Sequence, residues 1–298
     1  MLPNFIVIGA QKSASTYLQF CLDDHPEIYM PAGEVPYFES PDYENNNISD
    51  LEHYFHGRSE LCLGIKRPNY IGKPEVPGRI KDILPNAKLI AVLRNPVDRA
   101  VSAYFHLIKY GFLPALSVED GMRRIILTDS FSEKFKRAPE IIEFGLYSKY
   151  LSKYQYFFEN DRILTLLHED ILRNPIGEVQ RVYKFLGVND DLIPKSIGLR
   201  PQKVIYSINR LKLLSRRNKY LFEYNEDITR CEQKKMSPLS FLAAGSITAF
   251  DRYLLSRIYK SNKPQISEEL KQILNDIYKD DILNLETLID KDLKNWMI

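Results

Sequence analysis

Short apolar runs separated by polar punctuation dominate the first two thirds of the chain. Phe5–Ile8 (FIVI), Leu61–Lys66 (LCLGIK), Lys88–Leu93 (KLIAVL) and Arg162–Leu167 (RILTLL) are brief, rich in branched residues and read as buried strands. Between them the spacing changes to the helical period over 16–24, 77–84, 146–158 and 175–186, the last ended by Gly187. The clearest helix follows Leu93: Val97, Ala100, Val101, Tyr104, Phe105 and Ile108 repeat at i, i+3, i+4, i+7, i+8 and i+11, with Asn95 suited to cap it and Pro96 to its first turn. Strands alternating with helices predict an α/β fold, a central parallel sheet flanked by helices.

Beyond Gly187 the pattern changes character. Residues 190–236 lose regular spacing and carry Arg200, Lys203, Arg210, Lys212, Arg216 and Arg217, which suits either a flexible basic loop closing over an anionic ligand or an exposed loop. Residues 237–259 are largely apolar and read as helix. Ser267 caps a final helix with a long apolar stripe from Leu270 to Ile289. Residues 111–145, long and mixed, have the length of a lid or acceptor segment. With no internal repeat and no low-complexity linker, residues 1–298 read as one domain, with about 190–240 as a covering or acceptor region.

Composition narrows the function classes. The 298 residues are 44% hydrophobic and 27% charged, ordinary for a globular chain that buries a core. A net charge of +2 gives no nucleic-acid footprint. Cys21, Cys62 and Cys231 are too few and scattered for a disulfide framework or zinc site, and Cys21 falls among core positions. His168, Glu169 and Asp170 lack metal-ligand spacing, so no metal is assigned. No apolar run reaches the roughly 18 residues of a membrane span, and a strand starting at residue 5 leaves no room for a secretory leader. The expectation is a soluble, cytoplasmic protein.

The candidate chemistry gathers at strand ends. FIVIGAQKSASTYLQF, Phe5 to Phe20, is a strand, a turn at Gly9 and a helix start, an arrangement that aims backbone N–H groups and the helix dipole at an anion. Lys12 adds a charge, and Ser13, Ser15 and Thr16 add hydroxyls beside Ala14. Against the nucleoside triphosphate pattern G-x-x-x-x-G-K-[ST], counted from Gly9, Ala14 replaces the second glycine and Ser15 the lysine, which has moved to Lys12. The loop suits a shorter anion than a magnesium-bound triphosphate, and by itself equally suits an ordinary strand-to-helix turn. Arg94 and Ser102 offer a second anion site after the third strand. Glu34 lies in a loop with Pro31 and Pro36, bracketed by apolar residues whose desolvation would raise its pKa toward that of a general base; an exposed turn glutamate is the plainer alternative. Lys66 and Arg67 end the second strand.

In combination these stretches resemble a family. Gln11–Leu18 (QKSASTYL) resembles the 5′-phosphosulfate loop of sulfotransferases that use 3′-phosphoadenosine 5′-phosphosulfate (PAPS), and Leu89–Tyr104 (LIAVLRNPVDRAVSAY) resembles their 3′-phosphate motif, with the same spacing from Arg94 to Ser102. GEVPYF at 33–38 is similar to the K-E-x-x-F-F stretch of heparan sulfate sulfotransferases, and Lys66, Pro68 and Tyr70 to their K-x-P-x-Y segment. Residues 146–186 and the carboxyl-terminal LNLETLIDKDLKNW are similar to bacterial carbohydrate sulfotransferases. Gly33 stands where heparan-type enzymes carry lysine, their paired cysteines are absent, and Lys203 and Arg210 are the candidates for their basic cofactor loop.

The resemblance implies a P-loop-like sulfotransferase fold with no metal. PAPS would be the donor, and 3′-phosphoadenosine 5′-phosphate (PAP) the product, held by Lys12, Ser13, Ala14, Ser15, Thr16, Arg94 and Ser102. Glu34, Lys12 and Lys66 would be the catalytic set acting on an acceptor hydroxyl, first of a saccharide, otherwise of a lipid, polyketide or other alcohol. His106 is the next candidate base after Glu34. A P-loop-type nucleotide or small-molecule kinase, and a non-catalytic PAP or sulfated-glycan binding protein, are the competing readings.

Overall fold

A computed structural model of the protein describes residues 1–199, 204–259 and 262–297. In chain order the main elements are β1 (Phe5–Gly9), α1 (Ser15–Asp23), β2 (Ile28–Tyr29), β3 (Cys62–Lys66), α2 (Val76–Ile83), β4 (Lys88–Leu93), α3 (Pro96–Lys109), α4 (Val118–Leu127), α5 (Tyr147–Phe157), β5 (Ile163–Leu167), α6 (Pro175–Leu186), α7 (Ile208–Leu221), β6 (Phe222–Tyr224), β7 (Cys231–Gln233), α8 (Pro238–Phe250) and α9 (Glu268–Ile289). Shorter helical turns fill several connections. The described residues group into two compact units, the first Met1–Pro96, Leu146–Pro201 and Tyr278–Ile298, the second Val97–Gly145 and Gln202–Ile277.

The first unit holds the sheet, in the order β2-β3-β1-β4-β5 with every pair parallel. All four strands expected from apolar runs are present, and β2 is a two-residue edge in the proline-containing segment. β1 and β4 are buried along nearly their whole length, as parallel strands covered on both faces must be. On one face Phe5, Val7, Ile90, Val92 and Leu166 pack with Leu18, Cys21 and Leu22 of α1 and Val179, Val182 and Leu186 of α6. Each such side chain contributes roughly 1.5–3 kcal/mol by leaving water. Burial pushes the Cys21 thiol up to about 11, so it stays protonated as a core group.

The order of strands fixes where a ligand can sit. From β1 the chain turns toward β2 and β3; from β4 it departs toward β5 on the other side. The adjacent carboxyl ends of β1 and β4 therefore flank a topological switch point, where loops diverge and leave a crevice.

The second unit is helical. α7 and the antiparallel β6–β7 hairpin occupy most of the stretch expected to be loop. α7 carries Lys212, Arg216, Arg217 and Lys219, and its inward face consists of Leu211, Leu214 and Asn218. Long-range ties hold the unit: Arg210 pairs with Asp251 through two bonds of 2.8 and 2.9 Å, and Tyr224 donates to the Tyr110 carbonyl at 2.7 Å. Ser267 caps α9, its Oγ accepting from the Leu270 N–H at 3.1 Å.

Candidate active site

The loop after β1 departs from a simple turn. Its left-handed residues are Lys12 at φ 70° and Ala14 at φ 76°, conformations that side-chain-bearing residues adopt at a cost. Gly9 is needed for space rather than for conformation: a Cβ there would lie 2.5 Å from Cγ2 of Ile71. α1 begins at Ser15 with no side-chain cap among the described residues, so its first N–H groups and dipole face the loop. Ser13 is fully buried, and its Oγ has no hydrogen-bond partner among the described residues. A buried hydroxyl in that state is costly unless something accepts from it or donates to it.

Arg94, at the end of the neighbouring strand, reaches this loop. Its Nη1 donates to the Lys12 carbonyl at 3.2 Å. The backbone around Arg94 is fastened by Tyr147, whose hydroxyl donates to the Arg94 carbonyl at 2.9 Å, and by Glu169, which accepts from the Asn95 N–H at 3.1 Å. Asn95 Nδ2 donates in turn to the Trp296 carbonyl at 3.2 Å. Glu169 thus works as a backbone anchor. Ser102 lies in α3, within the second unit; it is buried, and its Oγ also lacks a partner among the described residues.

Lys66 ends β3 almost fully buried, its Nζ donating to Thr16 Oγ1 at 3.2 Å. Burial lowers its pKa below the ordinary lysine range, the Glu34 carboxylate acts in the opposite sense, and Arg67 adds to the lowering. Lys66 is therefore held against the loop after β1 and within the field of the Glu34 carboxylate.

The surroundings of Glu34 differ from the apolar bracket expected. Its side chain is 39% exposed, and Oε2 accepts from Arg67 Nη1 at 2.7 Å. Arg67 also binds Glu39, so one guanidinium bridges two carboxylates. Burial disfavours the Arg67 charge, but Glu39 and Glu34 outweigh it and its pKa is raised. The aromatic neighbours instead hold the backbone. Tyr70 Oη donates to the Val35 carbonyl at 2.6 Å and accepts from the Phe38 N–H at 3.0 Å, Val35 N–H donates to the Lys66 carbonyl at 3.1 Å, and Gln19 Nε2 donates to the Pro31 carbonyl at 3.0 Å. Tyr70, fully buried with its pKa raised well above the ordinary tyrosine range by burial, stays a donor.

The structure thus brings Lys12, Arg94, Thr16, Lys66, Glu34 and Arg67 to one end of the sheet. Lys203 and Arg200 lie outside the described residues, Arg210 is engaged with Asp251, and the His106 ring lies tilted against Tyr110 in the second unit at 4.8 Å between ring centroids. Glu39 and Glu169 were not legible as site supports, because their partners lie 28 and 74 residues away. Among the described residues no cluster of His, Cys, Asp or Glu could hold a metal ion, and no helix is long and apolar enough to cross a membrane.

Comparison with known proteins gives the family and the fold. A sulfotransferase domain model matches residues 2–286, and the chain belongs to that family. It is 29% identical over 198 residues to the human bifunctional heparan sulfate N-deacetylase/N-sulfotransferase 2, covering 63% of this chain and 22% of that protein. It is 30% identical over 193 residues to the human heparan sulfate glucosamine 3-O-sulfotransferase 6, covering 62% of this chain and 52% of that one. The chain thus spans between about a fifth and a half of these relatives. A sulfotransferase structure from Alicyclobacillus acidocaldarius superposes over 100% of both chains with a TM-score of 0.71 at 21% identity, a likeness of fold.

Proposed function

We propose that the protein transfers a sulfuryl group from PAPS to an acceptor hydroxyl. The observation that carries this reading is the Arg94 guanidinium seated on the Lys12 carbonyl, which joins the anion loops of adjacent strands. The buried hydroxyls of Ser13 and Ser102, without a partner among the described residues, fit a ligand rich in anionic oxygens. Lys12, Ser13, Ala14, Ser15 and Thr16 would hold the 5′ end, and Arg94 with Ser102 the 3′-phosphate. PAPS, when bound, supplies an activated sulfuryl group. Lys12 and Lys66 keep positive charge beside the loop, where negative charge grows on the departing phosphate side. Glu34 accepts the acceptor's hydroxyl proton, its Oε2 oriented by Arg67 at 2.7 Å.

A saccharide is the first acceptor, supported by relatives named for heparan sulfate. Cys21 and Cys62, both buried and free, support a reducing, cytoplasmic setting. The test is turnover of PAPS against saccharide, lipid and polyketide alcohols, with ATP and magnesium as the competing donor. Sulfation of a sugar hydroxyl is expected; phosphate transfer from ATP, or PAP binding with no transfer to any acceptor, would overturn the reading.

A further inference from the structure

α8, PLSFLAAGSITAF, is built inside out for a helix in water. The side turned toward the rest of its unit carries buried Ala244, half-buried Ala243 and Ile247 and, just beyond its end, buried Asp251, which Arg210 binds; exposed Thr248 accepts from Arg217 at 3.4 Å. The side turned outward carries Leu239, Leu242, Ala249 and Phe250 at i, i+3, i+10 and i+11, interrupted by Gly245 and Ser246. Leu239, Phe241 and Leu242 are 80, 62 and 63% exposed, and the continuation of the helix adds Tyr253 and Ile258 at 62 and 60%. A contiguous apolar face of this kind marks an interaction surface.

We infer that this face docks the protein onto an anionic lipid bilayer, lying in the plane of the interface. Thirteen apolar-rich residues are too few to span a bilayer but enough to lie along one. The charge along the stretch that carries the face is one-sided. From Lys234 to Tyr259 the cations are Lys234, Lys235, Arg252 and Arg257, all exposed, and the sole acid, Asp251, is buried against Arg210. Lys234 has a loose partner in Glu223 at 3.8 Å. Exposed cations before and after the apolar stretch, with Arg252 over the Tyr253 ring at 5.9 Å, match a negatively charged headgroup layer. They disfavour a second copy of this chain, since a two-fold contact brings the same patch, with the same cations, face to face. Tyr253 and Phe241 supply rings of the kind that settle at the headgroup boundary. This inference is independent of the sulfuryl-transfer reading.

The test is co-sedimentation with vesicles of phosphatidylcholine alone and of phosphatidylcholine mixed with phosphatidylglycerol. The protein is expected on the mixed vesicles, with binding to the neutral ones at least about tenfold weaker. Leu242→Glu should weaken binding by about tenfold or more. Arg252→Gln, which leaves the apolar face intact, should weaken it by about fivefold and provides a reading independent of any folding defect in the first variant. Absence from the mixed vesicles, or binding unchanged in both variants, overturns the inference. So does a light-scattering mass of two chains that falls to one in Leu242→Glu, since that assigns the face to a second copy.

Discussion

The loops after β1 and β4 leave neighbouring strands and meet at Lys12 and Arg94, yet they are built differently. The β4 loop is finished by the protein itself: Tyr147 bonds the Arg94 carbonyl, Glu169 the Asn95 N–H, and the Trp296 carbonyl the Asn95 amide. The β1 loop is left open, with two left-handed residues, an uncapped helix start and a buried serine hydroxyl without a partner among the described residues. One loop is pre-organised and the other poised, which suits a site where the second completes its bonds only on the nucleotide. On the reading proposed above, the left-handed loop would meet the part of the donor where charge changes during transfer, and the tied backbone the part that is held.

Breaking the poised loop should cost most. Lys12→Ala is expected to lower kcat by about 10²–10³ in a PAPS turnover assay, the scale of a lost charge-stabilising contact; a loss confined to KM would make Lys12 a holding residue like Arg94. Glu34→Gln should lower kcat by about 10² while calorimetric PAP affinity stays unchanged. Full activity in that variant would move the base elsewhere, to His106 first. Lys66→Met should lower kcat by about tenfold, and its stability carries a pH signature. Burial lowers the Lys66 pKa, so between that lowered value and the ordinary lysine value the unfolded chain binds more protons than the folded one, and native stability from this site rises with pH across the window. The methionine variant lacks that rise, so any advantage it has in thermal midpoint should shrink as pH climbs. A constant difference contradicts burial as the cause. Tyr147→Phe, which removes one tie of the rigid loop, should raise the PAP Kd by only about fivefold with kcat intact; a larger fall in kcat would erase the distinction between the loops.

What the sequence revealed follows from how local each signal is. The strands β1, β3, β4 and β5 were legible because burial on both faces writes continuous apolar runs, and α3 because one face repeats cleanly over 14 residues. α7 was not, because only Leu211, Leu214 and Asn218 are buried on a helix otherwise strongly cationic, and the β6–β7 hairpin is only three residues a strand. The positions of Lys12, Arg94 and Lys66 at strand ends were legible from motif and register. Their partners were not: the Arg67 bridge to Glu34 and Glu39, and the Tyr70 clamp on the Val35 carbonyl, join residues about 30 positions apart that only the fold brings together. Even the role of Gly9 changed, from turn former to the one residue that leaves room for Ile71.

Calorimetric titration of PAP into the protein, beside Arg94→Ala and beside ATP with magnesium, tests most directly whether two loops grip one nucleotide. A single PAP site is predicted, with affinity reduced at least about tenfold in Arg94→Ala by loss of a charge-assisted contact and no comparable heat from magnesium ATP. No heat on adding PAP, or equal affinity in the variant, would contradict it.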